Sequence, residues 1–211
     1  MNRRLQTYVL GNSHTPLSTL AGGGLLIIAS SRFAFALVAC VALLWVYGLT
    51  GLTAFVAKPI LPKQGVRVIL LFLSSLIGSL FLLLLWLMSP LLALGSAFII
   101  LLCPVYCMGS EIFAHLASET LEKVLVKTLI DAAILGFLII VFALIREPLG
   151  FMTLSLPVGK GQGMVELFKD EDGTSLFPIR ILASAGGALL LLGYGAALFR
   201  YLRKPYSKEE L

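Results

Sequence analysis

The sequence predicts an all-α integral membrane protein with six transmembrane helices in a single domain covering residues 1–211. Two observations predict this fold class. Hydrophobic residues make up 59% of the chain and charged residues only 13%, against about 25% charged residues in a typical soluble domain, and the mean hydropathy is +1.00. Between Arg67 and Glu111 there are 43 residues without a formal charge, interrupted near the middle by Ser89-Pro90. Because one crossing needs about 20 apolar residues, this run is long enough for two.

Six apolar segments follow one another along the chain. The first, about Leu17 to Ser30, is short and contains Gly22-Gly23-Gly24. We expect a broken or half-crossing helix there, since exposed backbone is tolerated in lipid only where neighbours satisfy it. The fourth, about Leu91 to Met108, contains Pro104, which removes a helix hydrogen bond and predicts a second break. The other four segments are about Phe33 to Val56, Val68 to Met88, Val124 to Ile145 and Ile181 to Leu202.

The two interrupted segments stand first in each half of the chain. Interrupted helices at matching places are typical of inverted repeats. We therefore predict two repeats of three helices, at about 12–88 and about 90–204. Because three crossings are an odd number, the two repeats would run in opposite directions through the membrane.

Basic residues divide unevenly between the two sides of this predicted topology. One side, which includes both termini, holds 11 of them, and the other side holds 5. The positive-inside rule then places both termini in the cytoplasm, so the net charge of +5 indicates orientation and not nucleic-acid binding. The segment from Arg146 to Arg180, with the acidic cluster Asp170-Glu171-Asp172, would face outward. The side with fewer basic residues holds Arg32, Arg146, Lys160, Lys169 and Arg180.

Three residues are candidates for chemistry inside the membrane. Cys103 and Cys107 are four apart, so a helix places them on one face, with Pro104 between them. Thiolates beside irregular backbone could ligate iron, and the alternative is two packed cysteines. Asp131 lies one turn inside the fifth segment, where a carboxylate is costly and therefore a functional candidate. Its alternative role is an interfacial ion pair with Lys127, four residues earlier.

Two other features have simpler interpretations. Cys40, in the middle of the second segment, is predicted to be a small buried hydrophobic residue. The sixth segment is rich in small residues, which allow close helix packing within the bundle or at a subunit interface. These are Ala185, Gly186, Gly187, Gly193, Gly195, Ala196 and Ala197.

Several motifs match a known family over nearly the whole chain. The most specific is Leu144 to Gly150, which reads Leu-Ile-Arg-Glu-Pro-Leu-Gly and is followed by Thr153-Leu154. The others are Asn12-Ser13, Ser110 to Ala114, Leu129-Ile130-Asp131, and Phe177-Pro178 with the glycine-rich segment after it. On these residues the chain resembles the six-span membrane subunits of the Rnf and Na⁺-translocating NADH:quinone reductase (Nqr) complexes, and within them the RnfE/NqrD branch. Ala132 stands where that family has glycine after the aspartate.

The resemblance implies a subunit of an ion-translocating electron-transport complex in the bacterial cytoplasmic membrane. Its partners would be a subunit of the same family with opposite topology, other subunits of the complex, and membrane lipid. In the family, the paired subunits hold a [2Fe–2S] cluster through one cysteine from each broken helix. Cys103, in a Leu-Cys-Pro setting, corresponds to the second of these ligands, and Cys107 is a rival because the spacing to Glu111 is one residue longer here. The first segment has Gly22-Gly23-Gly24 where the family has its other Leu-Cys-Pro.

Three functions stay open from the sequence. The first is a cluster-holding subunit, with a cluster bound by Cys103 and Cys107 or with a further ligand from elsewhere. The second is a small inverted-repeat transporter with Asp131 in its path, which the lack of other charged residues deep in the segments argues against. The third is a scaffold of the same fold without a cluster, which the missing cysteine of the first segment favours.

Overall fold

The computed structural model describes residues 16–57, 66–109, 121–158, 161–166 and 180–203. This part of the chain is mostly helical, and four of its helices are long and apolar enough to cross a membrane. These four helices agree with the prediction of a multi-pass membrane protein. The total of six crossings stays a prediction. Several sequence predictions concern residues outside the described ranges, namely Asn12-Ser13, Ser110 to Ala114, Asp170 to Asp172 and Phe177-Pro178.

The four long helices follow the apolar runs closely. They are α2 (Phe33–Ala57), α3 (Val66–Met88), α4 (Pro90–Gly109) and α5 (Leu121–Phe151). Helix α1 (Pro16–Ala29) precedes them, and its 14 residues extend about 21 Å at 1.5 Å each. The half-crossing helix stays a prediction.

Neither predicted break is present. Helix α1 continues through Gly22-Gly23-Gly24, and α4 continues through Pro104. The ring of Pro104 packs against Gly78 of α3, where a Cβ atom would lie 3.2 Å from the proline Cγ, so a glycine on the neighbouring helix makes room for it. The interruption occurs instead in the sixth segment, where Ser184 separates α6 (Arg180–Ala183) from α7 (Ala185–Arg203). The inverted repeats were predicted from the breaks and stay a prediction.

The structure is consistent with the all-α prediction and adds one short β-hairpin to it. Helix α5 extends to Phe151, beyond the predicted end at Ile145, and an antiparallel hairpin of β1 (Thr153–Val158) and β2 (Gly161–Glu166) follows it. Met152 ends the helix with φ of 55°, a left-handed conformation that normally favours glycine. The segment predicted as a loop from Arg146 therefore begins as helix and hairpin.

Helix α2 lies at the centre of the bundle and packs against α3, α4 and α5. Helices α2 and α5 approach each other closely because Gly136 of α5 has no side chain. A Cβ atom at Gly136 would lie 2.6 Å from the Cys40 sulfur of α2. Helix α1 packs against α4 and α5, and the hairpin contacts α2, α4 and α5 at the end of the bundle where α2 begins and α5 ends. Large apolar side chains on the outside of α3 and α4 give the bundle a surface suited to lipid, and they include Phe72, Leu76, Leu83, Leu87, Leu94 and Phe98.

Candidate functional site

Cys103 and Cys107 lie on one face of α4, as the sequence predicts, and that face is turned into the protein. Cys103 is 0% exposed and Cys107 is 2% exposed. Neither forms a disulfide, and the Cys103 thiol donates a hydrogen bond to the carbonyl oxygen of Ile99 at 3.3 Å. The two thiols are therefore part of the core between α4 and its neighbouring helices.

Tyr106 fills the space between this part of α4 and α1. A Cβ atom at Gly22 would lie only 2.8 Å from the Tyr106 ring, so the ring occupies the place that a side chain at Gly22 would need. On its other side Tyr106 packs against Tyr47 of α2, with ring centroids 5.9 Å apart. The absence of a side chain at Gly22 thus makes room for an aromatic ring from α4.

Asp131 belongs to the same region. It is partly buried on α5, and together with Cys107 it lies within electrostatic range of the Tyr106 hydroxyl. Asp131 on α5 and Cys107 on α4 are thus both close enough to influence the Tyr106 hydroxyl electrostatically, whereas Cys103 lies one turn earlier on α4. Lys127 is partly buried on the same helix as Asp131, so both alternatives for this carboxylate stay open.

These residues can be compared with what a [2Fe–2S] cluster requires. Such a cluster needs four protein ligands. Among the described residues no group of three or more histidine, cysteine or acidic side chains is placed to bind a metal. Cys103 and Cys107 could therefore supply two of the four ligands, and a partner would have to supply the other two. Both thiols, however, are sealed inside this chain. Their chemistry fits a cluster, but their position does not fit one shared across a subunit interface.

The most organised polar site lies about 22 Å from Asp131 along α5, given 15 residues at 1.5 Å each. Arg146 is 2% exposed there, and all five N–H groups of its guanidinium donate hydrogen bonds. Nε donates to the Leu182 carbonyl at 2.9 Å. Nη1 donates to the Ile27 carbonyl at 2.7 Å and to the Ser30 hydroxyl at 3.1 Å. Nη2 donates to the Ala183 and Ser184 carbonyls at 2.9 and 3.0 Å.

Glu147, the next residue, binds a different set of elements. It is 1% exposed. Its two carboxylate oxygens accept hydrogen bonds from the backbone N–H of Phe33 at 2.6 Å and of Ser155 at 2.8 Å. The Ser155 hydroxyl in turn accepts one from Ala34 N–H at 3.2 Å. Glu147 and Ser155 therefore cap the start of α2, whose first N–H groups have no partner within the helix.

The two charges match the helix dipoles around them. The carboxylate of Glu147 lies at the N-terminus of α2, which carries partial positive charge. The guanidinium of Arg146 lies at the C-terminal ends of α1 and α6, which carry partial negative charge. Each charged group is thus buried together with hydrogen-bond partners and next to a helix end of opposite partial charge. These interactions offset the cost of removing a charge from water.

The junction between α6 and α7 depends on two small residues. The Ser184 hydroxyl donates to the Ile181 carbonyl at 2.7 Å and accepts a hydrogen bond from Gly187 N–H at 3.2 Å, as an N-cap residue does. A side chain at Gly187 would collide with the carbonyl oxygen of Ile181. Gly150 of α5 is equally close to this junction, since a Cβ atom there would lie 3.0 Å from the Ala183 nitrogen.

Sequence reasoning placed Arg146 in an outward-facing loop, and that assignment is wrong. The side chain is buried inside a helix and bonded to backbone, so it is not an orientation signal. Without it the basic residues divide 11 to 4 (5 − 1 = 4), which strengthens the predicted bias. The signal that could have revealed the site is an adjacent Arg-Glu pair that continues an apolar helix and is followed by further apolar residues, Leu149 to Phe151.

No protein-family model and no curated protein matches this sequence.

Proposed function

We propose that the chain is a membrane subunit of an ion-translocating electron-transport complex of the Rnf/Nqr type. The observation that carries the proposal concerns the segment Leu144 to Gly150, the most specific part of the resemblance. Arg146 and Glu147 hold four elements of the fold together, and Gly150 allows the α6–α7 junction to approach α5. Because these residues join several helices and the hairpin at one end of the bundle, proteins that share this fold have a structural reason to share the motif.

Helix α7 offers a surface for a partner of the same fold and opposite topology. Gly193, Tyr194 and Gly195 of α7 are exposed. Small residues on the surface of a membrane helix allow a neighbouring helix to pack closely against it. We further propose that both termini are cytoplasmic, for which a periplasmic reporter fused after Lys208 should be inactive.

Two roles are proposed for this subunit within the complex. The four-residue spacing of Cys103 and Cys107, which places them on one face of α4, is the feature that favours a role in holding a [2Fe–2S] cluster. The sealed position of both thiols and the Tyr106 ring at Gly22 favour a scaffold role without a cluster.

Iron and acid-labile sulfide, measured on the chain purified from its native membrane with its neighbours, distinguish the two roles. The cluster role predicts iron that is lost in Cys103→Ala, reduced or lost in Cys107→Ala and unchanged in Cys40→Ala, the matched control. Cys40 packs against Gly136 and belongs to another interface, so its loss should not affect iron. Iron that is absent from the wild type, or unchanged in both Cys103 and Cys107 variants, would refute the cluster role and leave the scaffold role.

A further inference from the structure

We infer that Arg146 is a latch that couples the end of α1 to the α6–α7 junction, so that the two segments stay attached to α5 together or come free together. Its five N–H groups are divided between them. Two are bonded to the end of α1, at Ile27 and Ser30, and three to the consecutive carbonyls of Leu182, Ala183 and Ser184. Ser30 follows α1 and Ser184 follows α6, so one side chain binds the ends of two helices that are 154 residues apart in sequence.

The geometry of the guanidinium makes the coupling strong. Its donors are held in a rigid planar fork, so it cannot turn toward one segment and keep its bonds to the other. Arg146 is 2% exposed, so water does not replace a lost partner. If either segment moved away alone, some N–H groups of Arg146 would lose their acceptors. The carbonyl groups at the end of that helix would lose their donor, and both losses cost free energy. Separation of one segment therefore favours separation of the other.

Little else in the described chain joins these two segments directly. Helix α1 makes limited contact with α7, whereas α6 packs mainly on α5 and α7. Glu147, although adjacent in sequence, bonds to α2 and β1 and to neither latched segment. The same turn of α5 thus holds two separate connections: Glu147 fixes α2 and the hairpin, and Arg146 fixes α1 and α6–α7. This coupling is a property of the chain itself and does not depend on the proposed function.

Hydrogen–deuterium exchange on the full chain in lipid nanodiscs tests the latch. Ser30→Ala removes one of the five acceptors and touches only the α1 side. A latch predicts faster exchange, by about fivefold for one lost hydrogen bond, at both ends: at the amides of Ser30 and Ser31, and at those of Ser184 and Ala188 on the far segment. The amide of Ser89, bonded to Leu85 in the α3–α4 turn, is the internal reference. Faster exchange confined to Ser30 and Ser31 would overturn the inference.

Variants of α5 provide a second, independent reading. Arg146→Ala removes all five donors, so both segments should lose protection in parallel. Millimolar guanidinium chloride should restore protection at both segments, because the free ion can donate to the same oxygen atoms. Arg146→Lys keeps the charge but replaces the planar fork with three donors on a point-like ammonium, so protection should fall although the charge is kept. Glu147→Gln should raise exchange at Phe33 and Ser155 while leaving the latched segments protected. Equal loosening of all four regions by Glu147→Gln, or unequal loosening of the two segments by Arg146→Ala, would refute the latch.

Discussion

Replacing Glu147 with alanine is expected to destabilise the protein strongly. The carboxylate accepts hydrogen bonds from Phe33 N–H at 2.6 Å and Ser155 N–H at 2.8 Å, and it is almost fully buried. A hydrogen bond to a charged group contributes about 1.5–3 kcal/mol, and Glu147→Ala removes two of them. We therefore expect the free energy of unfolding to fall by about 3–6 kcal/mol.

The assay is thermal unfolding of the purified chain in one detergent, with two control variants. The expected loss corresponds to a lower midpoint by about 10 °C, at about 2–4 °C per kcal/mol for a chain of this size. Glu147→Gln keeps one acceptor oxygen without the charge, and should lose about 2 kcal/mol. Leu149→Ala changes a 45% exposed side chain on the same turn, and should change stability by less than about 0.5 kcal/mol. If Glu147→Ala unfolds at the same temperature as Leu149→Ala, the reasoning about this site is wrong.

Two further predictions concern glycines, and each has a matched control in the chain. Gly187→Ala should cost about 3 kcal/mol or more because the new Cβ meets the backbone of Ile181, whereas Gly193→Ala, with open space around it, should be neutral or stabilise by about 0.5–1 kcal/mol. Equal unfolding midpoints for these two variants would contradict the geometry of the junction. Gly136→Ala should cost about 1–3 kcal/mol because the new Cβ meets the Cys40 sulfur, and Cys40→Ala in the same chain should recover most of that loss. A double variant no more stable than Gly136→Ala would show that the α2–α5 contact is not as described.

The long helices were predictable because lipid imposes a simple requirement on sequence. Helix α2 was predicted from Phe33 to Val56 and runs from Phe33 to Ala57. Helix α3 was predicted from Val68 to Met88 and runs from Val66 to Met88. Length and hydrophobicity decide such helices, and both are local properties of the chain.

The interruptions were not predictable from local rules. A proline inside a helix removes one hydrogen bond but does not always end the helix, and α4 continues past Pro104, whose ring packs against Gly78 of α3. The interruption at Ser184 depends on the Ser184 hydroxyl, which accepts a hydrogen bond from the Gly187 N–H. It also depends on Arg146 of α5, whose guanidinium donates hydrogen bonds to the carbonyl groups of Ala183 and Ser184. No pattern within the sixth segment shows that last partner.

The candidate sites divide in the same way. The common face of Cys103 and Cys107 follows from their spacing, and the structure confirms it, but spacing does not show that this face points into the chain's own core. Arg146 and Glu147 were missed as a site because a local pattern does not show their partners, two of which are backbone groups more than 100 residues away in sequence, at Ile27 and Phe33. Charge counts treat such residues as solvated, and only the packing shows that they are not.

The most direct test of the account is to purify the tagged chain from its native membrane in mild detergent, with the loops and termini intact, and to identify what accompanies it. The account predicts a stable complex with a second small multi-pass subunit whose basic residues favour the opposite orientation, together with further subunits of an electron-transport complex. Gly193→Leu, on the exposed face of α7, should weaken that association without lowering the amount of folded chain. A monodisperse monomer with no accompanying membrane subunit would contradict the account.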